Sequence, residues 1–227
     1  MKKIKPDFIL FDLIGTTVTD NYPNGSLIRD SFHQAFHSNG IEIDDQTIKN
    51  ERGKIKKEAI QNILTNTNSD LELTVKIYTD FMNLLTDALR YFSEIEGAGK
   101  LFKILKSKGI KIGLGSGLPL EFMKKVIEHV GWRPEIFDYL NSSENLSAGR
   151  PNPIMILDAM NQLNLKNKTA VLKIGDTKVD ILEGKNAGVK TAGVLTGAMN
   201  RGDLEEMGAD FILKNVTELN MHLKNYQ

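Results

Sequence analysis

Phe8-Ile9-Leu10-Phe11-Asp12-Leu13-Ile14-Gly15-Thr16-Thr17 is the stretch whose reading decides the fold. Four apolar residues stop at a carboxylate, and a Gly-Thr turn follows. A run this short, bounded by turn residues, reads as a buried β-strand feeding a loop. Outward from it, the chain has two textures. Residues 27–93 hold few glycines, no proline and long 3.6-period patterns, as in LIRDSFHQAFHSNG, KIKKEAIQNILTN and LELTVKIYTDFMNLLTDALRYF. After Gly97 the pattern alternates. Helices are expected at 98–108, 119–130, 153–163 and 178–187, with a helical tail. Strands are expected at 110–115, 136–140, 169–175, 189–195 and 209–213.

Alternation with short connections implies an α/β fold, a Rossmann-like, doubly wound parallel sheet covered on both faces. The first strand is then separated from the others by an all-helical insert of roughly 70 residues. The expected division is a core of residues 1–17 and 94–227 and a helical cap of residues 18–93. Ligands of open α/β sheets sit beyond the C-terminal strand ends, so an insert leaving there would hang over the site as a lid.

Composition narrows the function. The chain has 227 residues, 29 Lys plus Arg against 29 Asp plus Glu, and no Cys. Zero net charge leaves no basic excess for phosphate backbones, so no nucleic-acid partner is expected. Without Cys there is no disulfide, thiolate metal site or cysteine nucleophile. No stretch approaches the ~20 apolar residues that span a bilayer, and the basic opening has no signal-peptide core. A cytoplasmic protein without a membrane partner is the expectation. Gly113-Leu114-Gly115-Ser116-Gly117-Leu118 lacks the third glycine of a dinucleotide fingerprint.

The strand ends carry the chemistry. The first closes in Asp12, the 110–115 strand in Ser116-Gly117, and the 169–175 strand in Gly175-Asp176, with Asp180 one turn on. Gly149-Arg150-Pro151 precedes the 153–163 helix. If these strands are neighbours, carboxylates, hydroxyls and a guanidinium meet at one edge. Carboxylates with water suit Mg²⁺. A guanidinium and hydroxyls suit a phosphoryl dianion. The set describes phosphoryl transfer.

At these residues the sequence resembles the haloacid dehalogenase superfamily, and within it the phosphonatase (phosphonoacetaldehyde hydrolase-like) branch. Most of its phosphatases carry Asp-x-Asp-Gly-Thr. Here Asp12 is followed by Ile14-Gly15-Thr16-Thr17, close to the Asp-x-Ala-Gly-Thr-Thr of that branch. Gly149-Arg150-Pro151 matches the branch's Gly-Arg-Pro, where most members have Lys. The resemblance implies that Asp12 is the nucleophile and that Thr16, Ser116, Gly117 and Arg150 hold the phosphoryl group. It implies that Mg²⁺ binds Asp12, the Ile14 carbonyl and Asp176, with Asp180 in support. Arg150 would also keep Asp12 ionised and oriented.

Ile14 cannot act as the acid or base that the usual second Asp supplies. A carbon leaving group poses a different problem, a carbanion, which the branch meets with a cap Lys that forms a Schiff base. Arg52-Gly53-Lys54-Ile55-Lys56 matches that Met-Gly-x-x-Lys pattern. At about 100° per residue, Ile55, Ala59, Ile60, Ile63 and Leu64 form one apolar arc with Lys56 near its middle. An amine there should be acidified by desolvation and by the helix dipole. Two residues depart from the branch: Arg52 replaces Met, and Ala59 replaces a proton-transferring His. The scattered His33, His37, His129 and His222 are expected at the surface or in cap packing.

The expected activity is therefore hydrolysis of a C–P or P–O bond in a small phosphonate or phosphorylated metabolite. A phosphate monoesterase without the second Asp is the first alternative, and a binding protein with little turnover the second. The apolar 27–36 helix is either cap core or the surface of a homodimer.

Overall fold

The computed structural model describes residues 4–22 and 25–223. The strands are β1 (Phe8–Asp12), β2 (Val18–Tyr22), β3 (Gly25–Ser26), β4 (Phe92–Glu94), β5 (Lys111–Ser116), β6 (Tyr139–Ser142), β7 (Val171–Gly175), β8 (Lys190–Val194) and β9 (Phe211–Leu213). The helices are α1 (Leu27–His37), α2 (Asp45–Glu51), α3 (Lys56–Asn66), α4 (Thr74–Asp87), α5 (Ala98–Ser107), α6 (Leu120–His129), α7 (Ile154–Gln162), α8 (Lys178–Ala187), α9 (Arg201–Glu206) and α10 (Leu219–His222).

Six strands form a parallel sheet in the order β6-β5-β1-β7-β8-β9. The order reverses at β1, so β1 lies between β5 and β7. Its residues alternate faces, as strand geometry requires. Ile9 and Phe11 join the core beneath α5 and α6, where the Phe11 ring meets Phe102 edge-on at 5.4 Å. Phe8 and Leu10 join a second core with Met155, Ile156 and Ala159 of α7. Both faces of the strand are covered, which is why its apolar run is unbroken. Trp132 and Phe137 pack against Phe102, within the core.

The insert is not all-helical. β2 pairs antiparallel with β4 through Val18↔Glu94, Thr19↔Ser93 and Asp20↔Phe92, and β3 pairs with β2. These strands form a stem that carries the chain into and out of the four helices. Val18-Thr-Asp-Asn-Tyr22 reads as a turn in isolation because two of its five residues are turn formers. Its partner lies some seventy residues downstream, hidden at the end of what reads as one long helix. That helix, α4, stops at Asp87. Two smaller corrections follow in the core. The 136–140 strand is displaced to Tyr139–Ser142 behind a 3₁₀ turn at Pro134–Ile136, and α9 occupies a stretch expected to be irregular. The helical tail is short, α10, and residues 224–227 lie outside the described residues.

Inside the insert, α1 buries Leu27, Ile28, Phe32, Ala35 and Phe36, with the Phe32 ring 4.5 Å from Phe81 of α4. The apolar face expected as cap core or a dimer surface is thus buried within the insert. No described helix is long and apolar enough to cross a membrane.

Candidate active site

β1, β5 and β7 end side by side, and the register sets Asp12 level with Gly115 of β5. The loop after β1 is locked from within. The Thr17 hydroxyl donates to the carbonyls of Asp12 and Leu13, both at 3.1 Å. Gly15 adopts φ +88°, and a side chain there would collide with the Asp176 carboxylate. The Thr196 hydroxyl donates to the Gly15 carbonyl at 2.7 Å.

One guanidinium nitrogen, Arg150 Nη1, bridges Asp12 Oδ1 at 2.6 Å and Asp180 Oδ1 at 2.7 Å. Asp180 is fully engaged. It also lies 2.9 Å from Lys173 Nζ and accepts from the Thr177 hydroxyl at 2.5 Å and amide at 3.2 Å. Lys173 Nζ in turn sits 3.4 Å from Glu183 Oε2. All of these side chains are buried. Burial pushes the Asp12 carboxyl above the usual range, Asp180 adds to that, and Arg150 and Lys173 oppose it. Burial acts on Asp180 in the same direction, but Lys173 and Arg150 outweigh it and hold Asp180 low. Arg150 stays charged despite its own desolvation, because Asp180 and Asp12 face it.

Asp176 differs from both. It accepts from the Thr16 hydroxyl at 3.0 Å and the Ala198 amide at 2.8 Å. No described cation lies within ion-pair distance of it. Burial, then Asp12, raises its pKa. Carboxylate oxygens of Asp12, Asp176 and Asp180 lie within 4.8 Å of one another. Asp12, Asp176 and Asp180 are all buried. A group of carboxylate oxygens this close, with Asp176 lacking a cation at ion-pair distance, is the donor set that a hard divalent cation would take.

A second face comes from the insert. Asp12, Ile14, Lys56, Ser116, Gly117 and Arg150 line one small cavity of about 30 Å³, room for one or two waters. Thr16, Asp176 and Asp180 lie outside this lining. Thr16 thus meets Asp176 rather than the cavity, and Ser116 accepts from the Leu118 amide at 3.2 Å. Arg150 Nε is buried without an acceptor, an orphaned donor that an oxyanion would satisfy.

Lys56 begins α3, whose buried face is Lys56, Ala59, Ile60, Ile63 and Leu64. Its amine donates to the Lys54 carbonyl at 3.0 Å and lies 6.0 Å from the centre of the Phe32 ring. Desolvation, then the charges of Arg150 and Arg52, lower its pKa to about 7. Lys57, outside the apolar arc, is exposed over the Tyr78 ring. His33 and His37 pair with Asp45 and Glu42 at the surface of α1, away from the cavity.

Contact between the two faces is made by backbone. A methyl group on Gly117 would fall 2.2 Å from the Lys54 carbonyl oxygen and 2.8 Å from that of Gly53. Gly117→Ala should therefore hold the Gly53–Lys54 loop away from the sheet edge. A tenfold or larger loss of turnover is expected with little change in Tm. Steady-state kinetics beside a thermal melt check this, and unchanged turnover would show that the close approach is dispensable.

Sequence reasoning missed Lys173, Glu183 and Thr177. The signal for Lys173 was a lone charge inside the buried strand Val171-Leu-Lys-Ile-Gly175, which demands a partner. Asp180 is the nearer partner, and Glu183, one helical turn beyond it, is the second.

The match to the family model described as "Haloacid dehalogenase-like hydrolase" runs over residues 9–194. A phosphonoacetaldehyde hydrolase of Bacillus mycoides (strain KBAB4) is 30% identical over 89% of this chain and 81% of its own. That of Bacillus cereus (strain B4264) is 28% identical over the same shares. Among solved structures, a hydrolase from Pseudomonas syringae superposes with a TM-score of 0.84 at 18% identity, covering 95% of this chain and 97% of that one. A "phoshonoacetaldehyde hydrolase like protein" from Oleispira antarctica gives 0.81 at 23% identity, covering 96% and 90%. At such identities the structural matches speak for the fold. The family model and the Bacillus relatives carry the assignment: the chain belongs to the haloacid dehalogenase-like hydrolases, in their phosphonatase-like branch.

Proposed function

We propose that this hydrolase cleaves the C–P bond of a small phosphonate bearing a carbonyl one carbon away, as in phosphonoacetaldehyde. Residues 1–17 and 94–227 form the catalytic core, and residues 18–93 form a cap that closes on it. A homodimer through α1 is not part of this reading, because its apolar face is already buried. The observation that carries it is Lys56: a buried amine, with a pKa of about 7, facing the same 30 Å³ space as Asp12.

The neutral amine adds to the substrate carbonyl and water leaves, giving an imine on Lys56. Once protonated, the imine accepts the electron pair of the breaking C–P bond as an Asp12 oxygen takes the phosphorus. Protonation of the carbon and hydrolysis of the imine release the carbonyl product and restore Lys56. A second water cleaves the aspartyl-phosphate and restores Asp12. Arg150 orients Asp12 through Nη1 and offers its unpartnered Nε to a phosphoryl oxygen. Ser116 and Gly117 border the same position.

Asp12, Asp176 and the Ile14 carbonyl would hold Mg²⁺, which supplies charge to the phosphoryl oxygens. Asp180 serves through Arg150, since its oxygens are engaged. In metal-free buffer, Asp176→Asn should raise Tm by removing a buried charge without a cation partner. Mg²⁺ should raise the Tm of the unaltered protein by several degrees at a hundredfold excess over Kd, and that of the variant by little. Equal responses would remove Asp176 from the metal site.

A phosphate monoesterase is the second reading. Ala59 favours it, because no proton-transferring group stands one turn from Lys56 on α3. Phosphate release with Mg²⁺ from phosphonoacetaldehyde and from a panel of phosphate monoesters separates the two. Turnover of the phosphonate supports C–P cleavage, and turnover confined to the esters contradicts it.

A further inference from the structure

Arg52 follows α2 directly and enters the loop that meets the sheet edge. It borders the 30 Å³ cavity together with Asp12, Lys56 and Arg150. It also borders an outer cavity of about 450 Å³, beside Lys49, Lys54 and Lys178. The inner space has room for one or two waters, whereas the outer one is of a size that holds small ligands. Arg52 therefore lines both spaces, and also a third of about 270 Å³ beside Asp20 and Ser26.

Its charge has no direct carboxylate partner, although its field also reaches the buried Asp176. Lys49 pairs with Asp203 at 3.4 Å and Lys54 with Glu51 at 2.9 Å. Arg150 faces Asp12 and Asp180. For Arg52 no described carboxylate lies within ion-pair distance. Its Nη1 donates to the Ser26 hydroxyl at 3.1 Å, and that hydroxyl donates to Asp20 Oδ2 at 2.8 Å. A guanidinium cannot shed its proton to relieve the half-buried position, and one neutral hydroxyl uses one of five donors. Its field reaches inward to Lys56, whose amine it helps acidify.

We propose that Arg52 is a specificity-determining residue that binds a carboxylate on the carbon side of the substrate. The substrate class becomes a carboxylate-bearing oxo-phosphonate, with the phosphonate at Asp12, the carbonyl at Lys56 and the carboxylate at Arg52. This rests on the phosphonate-binding reading above. A carboxylate matches the guanidinium fork with two parallel hydrogen bonds. A neutral aldehyde would leave the cation without a partner.

The test uses two ligands with the same three-carbon chain that cannot form an imine, 3-phosphonopropionate and propylphosphonate. Their Kd values are measured by calorimetry with Mg²⁺ for the unaltered protein, Arg52→Met and Arg52→Lys, each checked by its melting curve. The unaltered protein should bind 3-phosphonopropionate on the order of tenfold or more tightly than propylphosphonate, as expected for a charge-assisted pair. Arg52→Met should bring the ratio close to one, and Arg52→Lys should keep part of it. Equal affinities in the unaltered protein, or a preference that survives Arg52→Met, would overturn the assignment of Arg52 while leaving phosphonate binding intact. Binding of neither ligand would overturn both.

Discussion

Asp12→Asn should lower turnover at least a thousandfold, on phosphonates and phosphate esters alike. Both readings route the phosphorus through this carboxylate, and an amide is a far poorer nucleophile. The fold should survive the change. Asp12 is buried, and burial and Asp180 already work against its charge. Asparagine keeps an oxygen for Arg150 Nη1, so Tm should hold within a few degrees or rise. That separation of activity from stability is the usual mark of a strained functional group. It is checked by kinetics and a thermal melt on the same preparation. Retained turnover would move the nucleophile elsewhere.

Lys56→Met should abolish C–P cleavage, again by a thousandfold or more, because methionine cannot form an imine. Hydrolysis of phosphate esters, if any exists, should change far less. The same variant should be more stable. Between pH 7 and the ordinary lysine range, the unfolded chain binds a proton at this position that the folded chain does not. Stability therefore rises with pH across that window, and the protonated amine costs most below it. Removing the amine removes that slope and should stabilise the protein at neutral pH by a few kcal/mol, as an order of magnitude. Catalysis has the matching sign. C–P cleavage should increase as pH rises through about 7 and the amine loses its proton. A profile rising only near pH 10 would mean that burial does not acidify Lys56.

Much of this was legible in the sequence, for local reasons. An apolar run closed by Asp12, a glycine demanded by the turn, and a Gly-Asp ahead of α8 are short-range signals. Their neighbourhood follows from the rules of parallel sheets. The placement of Lys56 on a buried face followed from helical periodicity alone. The remainder depended on distant partners. The β2–β4 stem joins residues seventy positions apart, and neither strand announces itself locally. The Arg150–Asp180–Lys173–Glu183 ladder needs β7 and α8 to be in register before its charges meet. Arg52 could be noted as a departure from the family pattern, but only the cavities and the missing carboxylate give it a role.

The most direct measurement is borohydride trapping. The protein with Mg²⁺ is incubated with phosphonoacetaldehyde, reduced with sodium borohydride, digested and mapped by mass spectrometry. A stable adduct at Lys56, absent from Lys56→Met and accompanied by loss of activity, is the outcome the account predicts. Turnover of the phosphonate without any adduct at Lys56 would contradict it.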